Sequence, residues 1–87
     1  MLLHLLNRSP QSLSVYRELG EAFGADDHLL LIEDACYAAL PSASAALEPF
    51  GGRVSVLAED LASRGLAERV SPAIAVVSAV VAVLGYQ

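Results

Sequence analysis

The sequence predicts an α/β fold built on a parallel sheet, and three observations carry the prediction. Leu29-Leu30-Leu31-Ile32 is an unbroken apolar run, stopped at once by Glu33 and Asp34. A short run without polar alternation reads as a strand buried on both faces, the mark of a parallel sheet covered by helices. Strand-like and helix-like stretches alternate along the chain, as they do where parallel strands are joined by crossovers. The breaks between them are rich in Pro, Gly, Asn, Asp and Ser, the residues of turns and caps.

Taken in order, Leu2 to Leu6 is nearly all apolar and forms a first strand, ended by Asn7-Arg8-Ser9-Pro10. From Ser12, a credible N-cap, the apolar period changes. Leu13, Tyr16, Gly20 and Phe23 follow helical spacing, and Arg17, Glu18 and Glu21 fall on the solvent side. Gly24 closes this helix, and Ala25-Asp26-Asp27 leads into the central strand, His28 to Glu33. Ala35 to Leu40 reads as a helical turn or two interrupted at Pro41, and Ser42 caps a second short helix through Leu47, ended by Pro49 and Gly51-Gly52. Arg53 to Ala58 is a third strand and Glu59 to Arg64 a helix terminated by Gly65, with acid at its start and Arg64 at its end to suit the helix dipole.

Leu66 to Ser71 is a loop, Pro72 discourages helix before it, and Ala73 to Val77 is a fourth strand by its β-branched content. Ser78 caps a closing helix from Ala79 to Gly85, although Val80, Val81 and Val83 also favour a strand. Right-handed crossovers then give a small flavodoxin-like three-layer sandwich of about four parallel strands flanked by helices, one domain over residues 1–87.

Composition narrows the function. With 87 residues, a chain of this size hides only roughly two thirds of its unfolded surface. Hydrophobic residues are 55% of it, against a usual share of about 45–50%, so association is a natural supplement to a small core. The net charge is -5 and no basic cluster follows a phosphate backbone, which argues against direct, tight nucleic-acid binding. All five basic residues are arginine; without lysine there is no P-loop lysine and no Schiff-base lysine. A lone cysteine suits the reducing cytosol, so a cytoplasmic protein is expected. Neither a signal core nor a membrane span is expected, because Met1 to Leu6 has no positive flank and Ala73 to Gly85 is shorter than the roughly 20 residues of a spanning helix.

In open α/β sheets, ligands collect beyond the carboxyl ends of strands, which is where Asn7, Arg8 and Ser9 and then Glu33, Asp34 and Cys36 fall. Cys36 has two readings. A helix N-terminus would favour its thiolate, the reactive form, but Glu33 and Asp34 oppose one, and a free cysteine usually behaves as a small buried hydrophobe. Asp34 is favoured as an N-cap; a phosphoacceptor role lacks both the acidic pair after the first strand and any lysine. Tyr37 either enters a subunit contact or packs with its hydroxyl satisfied. Asn7 and Ser9 are explained by turn formation, while Arg8 is placed to attract an anion. Arg64 is expected to bridge Asp60 at i, i+4, and His4 and His28, lacking a Cys or His at ligand spacing, to be hydrogen-bonded in strands rather than to bind metal.

Three stretches together resemble the TusB/DsrH family of DsrE-like sulfur-relay proteins: Leu5-Leu6-Asn7-Arg8-Ser9-Pro10, Glu33-Asp34-Ala35-Cys36-Tyr37-Ala38-Ala39, and the run Val56 to Leu66 with its Glu59-Asp60-Leu61 and Arg64-Gly65. Ala35 stands where relatives carry glycine, and Cys36 where they carry an aliphatic residue. The resemblance implies a subunit of a cytosolic heterohexamer in which persulfide sulfur passes between cysteines, the reactive one residing chiefly in the DsrE/TusD-like sister. Its partners would be DsrE/TusD-like and DsrF/TusC-like subunits and a downstream sulfur carrier, with no cofactor. One branch delivers sulfur to the wobble uridine of tRNA. The other, the DsrEFH type, serves sulfur oxidation and is expected to carry a cysteine near the first helix, where Gln11 to Phe23 has none. The reading preferred is therefore an accessory, non-catalytic subunit of the tRNA branch, with Cys36 as the candidate sulfur-handling residue and Asn7, Arg8, Ser9, Asp34 and Tyr37 as cleft or interface residues. A stand-alone homo-oligomeric binding or regulatory domain without sulfur chemistry is the alternative from another class. Val80 to Leu84 and Tyr37 to Leu40 are the apolar surfaces through which the chain alone is expected to self-associate, by a two-fold interface.

Overall fold

A computed structural model describes residues 2–80. Its strands β1 (Leu3–Leu6), β2 (His28–Leu31), β3 (Val54–Leu57) and β4 (Ala75–Val77) lie side by side in chain order, and each neighbouring pair is parallel. Between them run helix α1 (Leu13–Ala22), two segments of 3₁₀ turns (Glu33–Ala39 and Pro41–Phe50) and helix α2 (Ala58–Ser63). This is the all-parallel, flavodoxin-like α/β arrangement that the sequence predicts, except that the described helical segments between the strands all lie over one face of the sheet instead of flanking both. The central run behaves as its composition requires: Leu29, Leu30 and Leu31 are all buried.

Strand order dictates where the core sits. When parallel strands follow one another in chain order, right-handed crossovers carry every connection over the same face of the sheet. On that face Leu6, Leu29, Leu31, Val54 and Val56 form one cluster with Tyr16 of α1, Cys36, Ala38 and Ala39 of the first 3₁₀ segment, Phe50 of the second and Leu61 of α2. Phe23 links the cluster to the sheet's amino end, with its ring edge-on to Phe50 at 5.1 Å, tilted to His4 at 5.3 Å and under the Arg53 guanidinium at 5.2 Å.

Local details differ from expectation for identifiable reasons. Leu13 is exposed, and α1 instead rests on Val15, Tyr16, Leu19 and Phe23, a stripe from whose centre Leu13 falls about 105° away at 3.6 residues per turn. Ser12 precedes α1 without a side-chain cap, since its ψ of 66° lies outside the extended conformation a capping residue uses; its carbonyl accepts the Val15 N–H at 3.0 Å instead. Ser42 does not cap either, because Pro41 already begins the second 3₁₀ segment, which ends with Pro49 inside it and Gly51 at φ 60°. The patch expected at Tyr37 to Leu40 is mostly core: Ala38 and Ala39 are fully buried and Leu40 half-buried. Ala79 and Val80 have helical backbone; the remainder of the stretch expected to form a closing helix lies outside the described residues, as does the Val81 to Leu84 part of the second patch.

Where α1 crosses the second 3₁₀ segment, Gly20 leaves no room for a side chain: an added Cβ would stand 2.9 Å from the Pro49 Cβ, an atom of a rigid ring. Alanine at position 20 would gain about 1 kcal/mol in helix propensity. Overpacking costs roughly 1–3 kcal/mol, so Gly20→Ala is expected to lose about 1 kcal/mol net, read as a lower urea midpoint.

At the amino end of the sheet the Asp27 carboxylate accepts the backbone N–H of Leu2 at 3.0 Å, the N–H of Gly24 at 2.8 Å and the Nε2–H of His4 at 2.8 Å. These bonds, the His4 one first, hold its pKa down to about 2. A carboxyl that is more acidic folded than unfolded stabilises the fold above about pH 4, and the gain disappears as pH falls toward 2. Asp27→Asn is therefore expected to flatten the fall in stability across that window, measured by chemical unfolding at successive pH values. An unchanged acid limb would show that Asp27 does not tie β1 to β2.

Candidate functional site

Because the strands are parallel, their carboxyl ends open together, and the segments that leave them are joined there by polar contacts. Glu33, leaving β2, has the left-handed φ of 50°, unusual for a residue with a side chain. Its N–H donates to Asp60 Oδ2 of α2 at 2.6 Å. Asp34 is paired by Arg64, whose Nη2 and Nε lie 3.2 and 3.4 Å from Asp34 Oδ1. Farther along the edge, the Glu59 carboxylate accepts the N–H of Ala79 at 3.2 Å, and across β1 the Tyr16 hydroxyl donates to the Arg8 carbonyl at 2.7 Å.

These contacts revise two expectations. Asp34 is not an N-cap: Ile32 holds that position and Asp34 lies in the first 3₁₀ turn, turned toward Arg64. Arg64 does not bridge Asp60, since Asp60 is committed to the Glu33 N–H and Asp34 is the carboxylate that faces the guanidinium. Both pairings join the first 3₁₀ segment to α2 and its C-cap, more than 25 positions away, which helical spacing cannot reveal.

A cleft of about 350 Å³ opens between the ends of β1 and β2, lined by Ser9, Pro10, Gln11, Asp34 and Tyr37. Ser9, Asp34 and Tyr37 are thus brought together. Asn7 and Arg8 are exposed but do not line it, so the Arg8 charge is not part of its wall. Pro10 and Gln11 went unread as site residues; their only signal is that they directly follow Ser9 beyond a strand end. A second depression of about 200 Å³ lies at the opposite end of β3 and β4, with Leu47, Val54 and Ile74 among its walls.

Cys36 lies beneath this edge with no exposed surface. Burial first, and then the negative charge of Asp60 with that of Asp34 behind it, pushes its thiol up to about 11 against a partial offset from Arg64. The dipole of a short 3₁₀ segment does not overcome that. The cleft therefore offers hydroxyls, an amide and a carboxylate already matched by arginine, and the one cysteine of the chain is not among its lining residues. Among the described residues no group of three or more His, Cys, Asp or Glu side chains is placed to hold a metal ion, and no helix is long and apolar enough to cross a membrane.

The family model described as DsrH like protein matches residues 8–83, a span that takes in the cleft, Cys36 and the α2 clasp. The chain belongs to the DsrH-like family. None of the curated proteins matches it. As a DsrH-like chain it is a sulfur-relay subunit in the general sense, of a family whose members act within multi-subunit complexes.

In this DsrH-like chain a thiol at about 11 rather than 9 carries about 100-fold less thiolate at neutral pH. Iodoacetamide is accordingly expected to label Cys36 of the folded chain at least about 100-fold more slowly than after unfolding in urea, with the rate still rising above pH 10. Labelling that saturates near pH 8 in the folded chain would contradict this placement of the sulfur.

Proposed function

We propose that the chain is an accessory subunit of a cytoplasmic sulfur-relay complex that passes persulfide sulfur toward 2-thiolation of the tRNA wobble uridine. Its partners are a DsrE/TusD-like and a DsrF/TusC-like sister, assembled as a heterohexamer, with a downstream sulfur carrier receiving the sulfur. The observation that carries this reading is the state of Cys36. A relay cysteine must present a thiolate to an incoming persulfide and then release the sulfur to the next thiolate, and Cys36 is sequestered, with its thiol raised by burial and by the charges of Asp60 and Asp34. The sulfur-carrying step belongs to a sister subunit, and this chain supplies a docking surface, with Asn7, Arg8, Ser9, Asp34 and Tyr37 at the strand ends as its contact residues. The absence of cysteine from Gln11 to Phe23 supports the tRNA branch over the DsrEFH-type sulfur-oxidation branch.

The test is to express the chain with its two sisters, purify the complex and supply a persulfide donor. Added sulfur is expected on a sister and not on Cys36, and Cys36→Ala should support thiouridine formation as the wild type does. A sulfur adduct on Cys36 with loss of thiolation in Cys36→Ala would overturn the accessory role. Failure to co-purify with either sister would overturn the complex itself, in favour of a stand-alone homo-oligomeric domain.

A further inference from the structure

The first 3₁₀ segment sorts its side chains by threes. With three residues to the turn, positions three apart stand one above the other. Ala35 and Ala38 form one ridge, Cys36 and Ala39 belong to another, and all four are fully buried. The third ridge is Asp34 and Tyr37, and both are exposed. A carboxylate and an aromatic ring are thus set side by side on the outer face of a segment whose other ridges are anchored in the core. Both line the cleft at the carboxyl ends of β1 and β2, together with Ser9, Pro10 and Gln11. The Ser9 loop is held by its own hydrogen bonds: its hydroxyl accepts the Gln11 N–H at 3.3 Å and its carbonyl the Ser12 N–H at 3.0 Å. That wall is formed before anything enters. At about 350 Å³ the cleft is at the small end of ligand pockets, which run from about 300 to 1,000 Å³, and it suits one inserted side chain better than a large cofactor.

The chemistry of the ridge selects that side chain. Arg64 matches only one oxygen of Asp34: both of its contacts fall on Oδ1, and Oδ2 has no donor among the described residues. Tyr37, at 39%, is the one exposed aromatic ring among the described residues. No cation is among the residues that line the cleft. The edge stays negative with Arg64 in place, since Glu33, Asp34, Glu59 and Asp60 share it and, at Cys36, the charge of Asp60 outweighs that of Arg64. A cation laid on the ring gains from its negative face as well as from the carboxylate. A guanidinium does both at once, being planar, weakly hydrated and able to bond a carboxylate while stacked on a ring, so the pair favours arginine over lysine.

We propose that the cleft receives an arginine side chain of a sister subunit, its guanidinium bonded to Asp34 Oδ2 and laid on the Tyr37 ring, with Arg64 a positioning residue that holds the carboxylate through Oδ1. The identity of the partner rests on the sulfur-relay reading, whereas the chemistry of the contact rests on the cleft. Charge at such a contact steers the encounter and fixes its register.

The test titrates the full-length chain with its two sisters. Asp34→Asn keeps the size of the side chain and removes its charge, and should weaken sister binding about 10-fold or more. Tyr37→Leu should also weaken it, and carries the same test should Asp34→Asn fail to fold by circular dichroism. Arg64→Gln separates docking from a merely structural ion pair: it removes the competing guanidinium, so sister binding should tighten. Phenylglyoxal, which modifies arginine, should spare one sister arginine in the wild-type complex and modify it in the Asp34→Asn complex. Unchanged binding in folded Asp34→Asn or Tyr37→Leu, weakened binding in Arg64→Gln, or no sister arginine whose protection depends on Asp34 overturns the proposal and leaves the sulfur-relay reading standing. A wild-type chain that binds neither sister overturns that reading, and this contact with it.

Discussion

Every connection in this domain crosses one face of the sheet, because four parallel strands lie in chain order and each crossover is right-handed. A helix, two 3₁₀ segments and a second helix must therefore share a single layer over four short strands. The crowding explains details that have no local cause. Gly20 has no side chain because α1 and Pro49 meet where a methyl would sit, and Ala35, Ala38 and Ala39 are small where their segment packs on the sheet beside the second 3₁₀ segment and α2. It also explains the 3₁₀ turns, which keep Cys36 and Phe50 over the sheet in a link broken by Pro41 and Pro49.

The same strand order gathers the carboxyl ends and, with them, most of the local acid. Glu33, Asp34, Glu59 and Asp60 all leave strands within one edge, and the clash of charge is relieved through backbone N–H groups and Arg64. The arrangement costs the cysteine its reactivity. A thiol in this position is held neutral by lack of solvent first and then by the negative charge of Asp60 and Asp34.

Among the described residues β1 and β4 are the outer strands of the sheet. Leu5 of β1 and Leu2 just before it are among the exposed apolar residues described. The excess of apolar residues seen in composition is thus localised: much of it fills the single core layer, and part of the remainder lies along β1.

The sequence by itself determined the secondary-structure order, the parallel sheet and the family. Apolar runs such as Leu29 to Leu31 and breakers such as Pro41 and Gly65 act through local backbone physics, which needs no knowledge of distant residues. It also located the edge where a site would lie, since a strand's carboxyl end is marked by its own polar break at Glu33-Asp34. What the tertiary structure alone decided are the pairings across that edge. Helical spacing points Arg64 at Asp60, yet the fold places Asp34 before the guanidinium and gives Asp60 to a backbone N–H, with contacts that span 27 and 30 positions of chain. Leu13 and Leu40 look alike as isolated apolar residues, and only the shared layer shows that one faces solvent while the other packs on the core. Cys36 is the sharpest case: its sequence position allows a thiolate, whereas its burial and the charge of Asp60, brought in from α2, disfavour one at neutral pH. Long-range desolvation and charge are properties of the folded neighbourhood, so no local pattern encodes them.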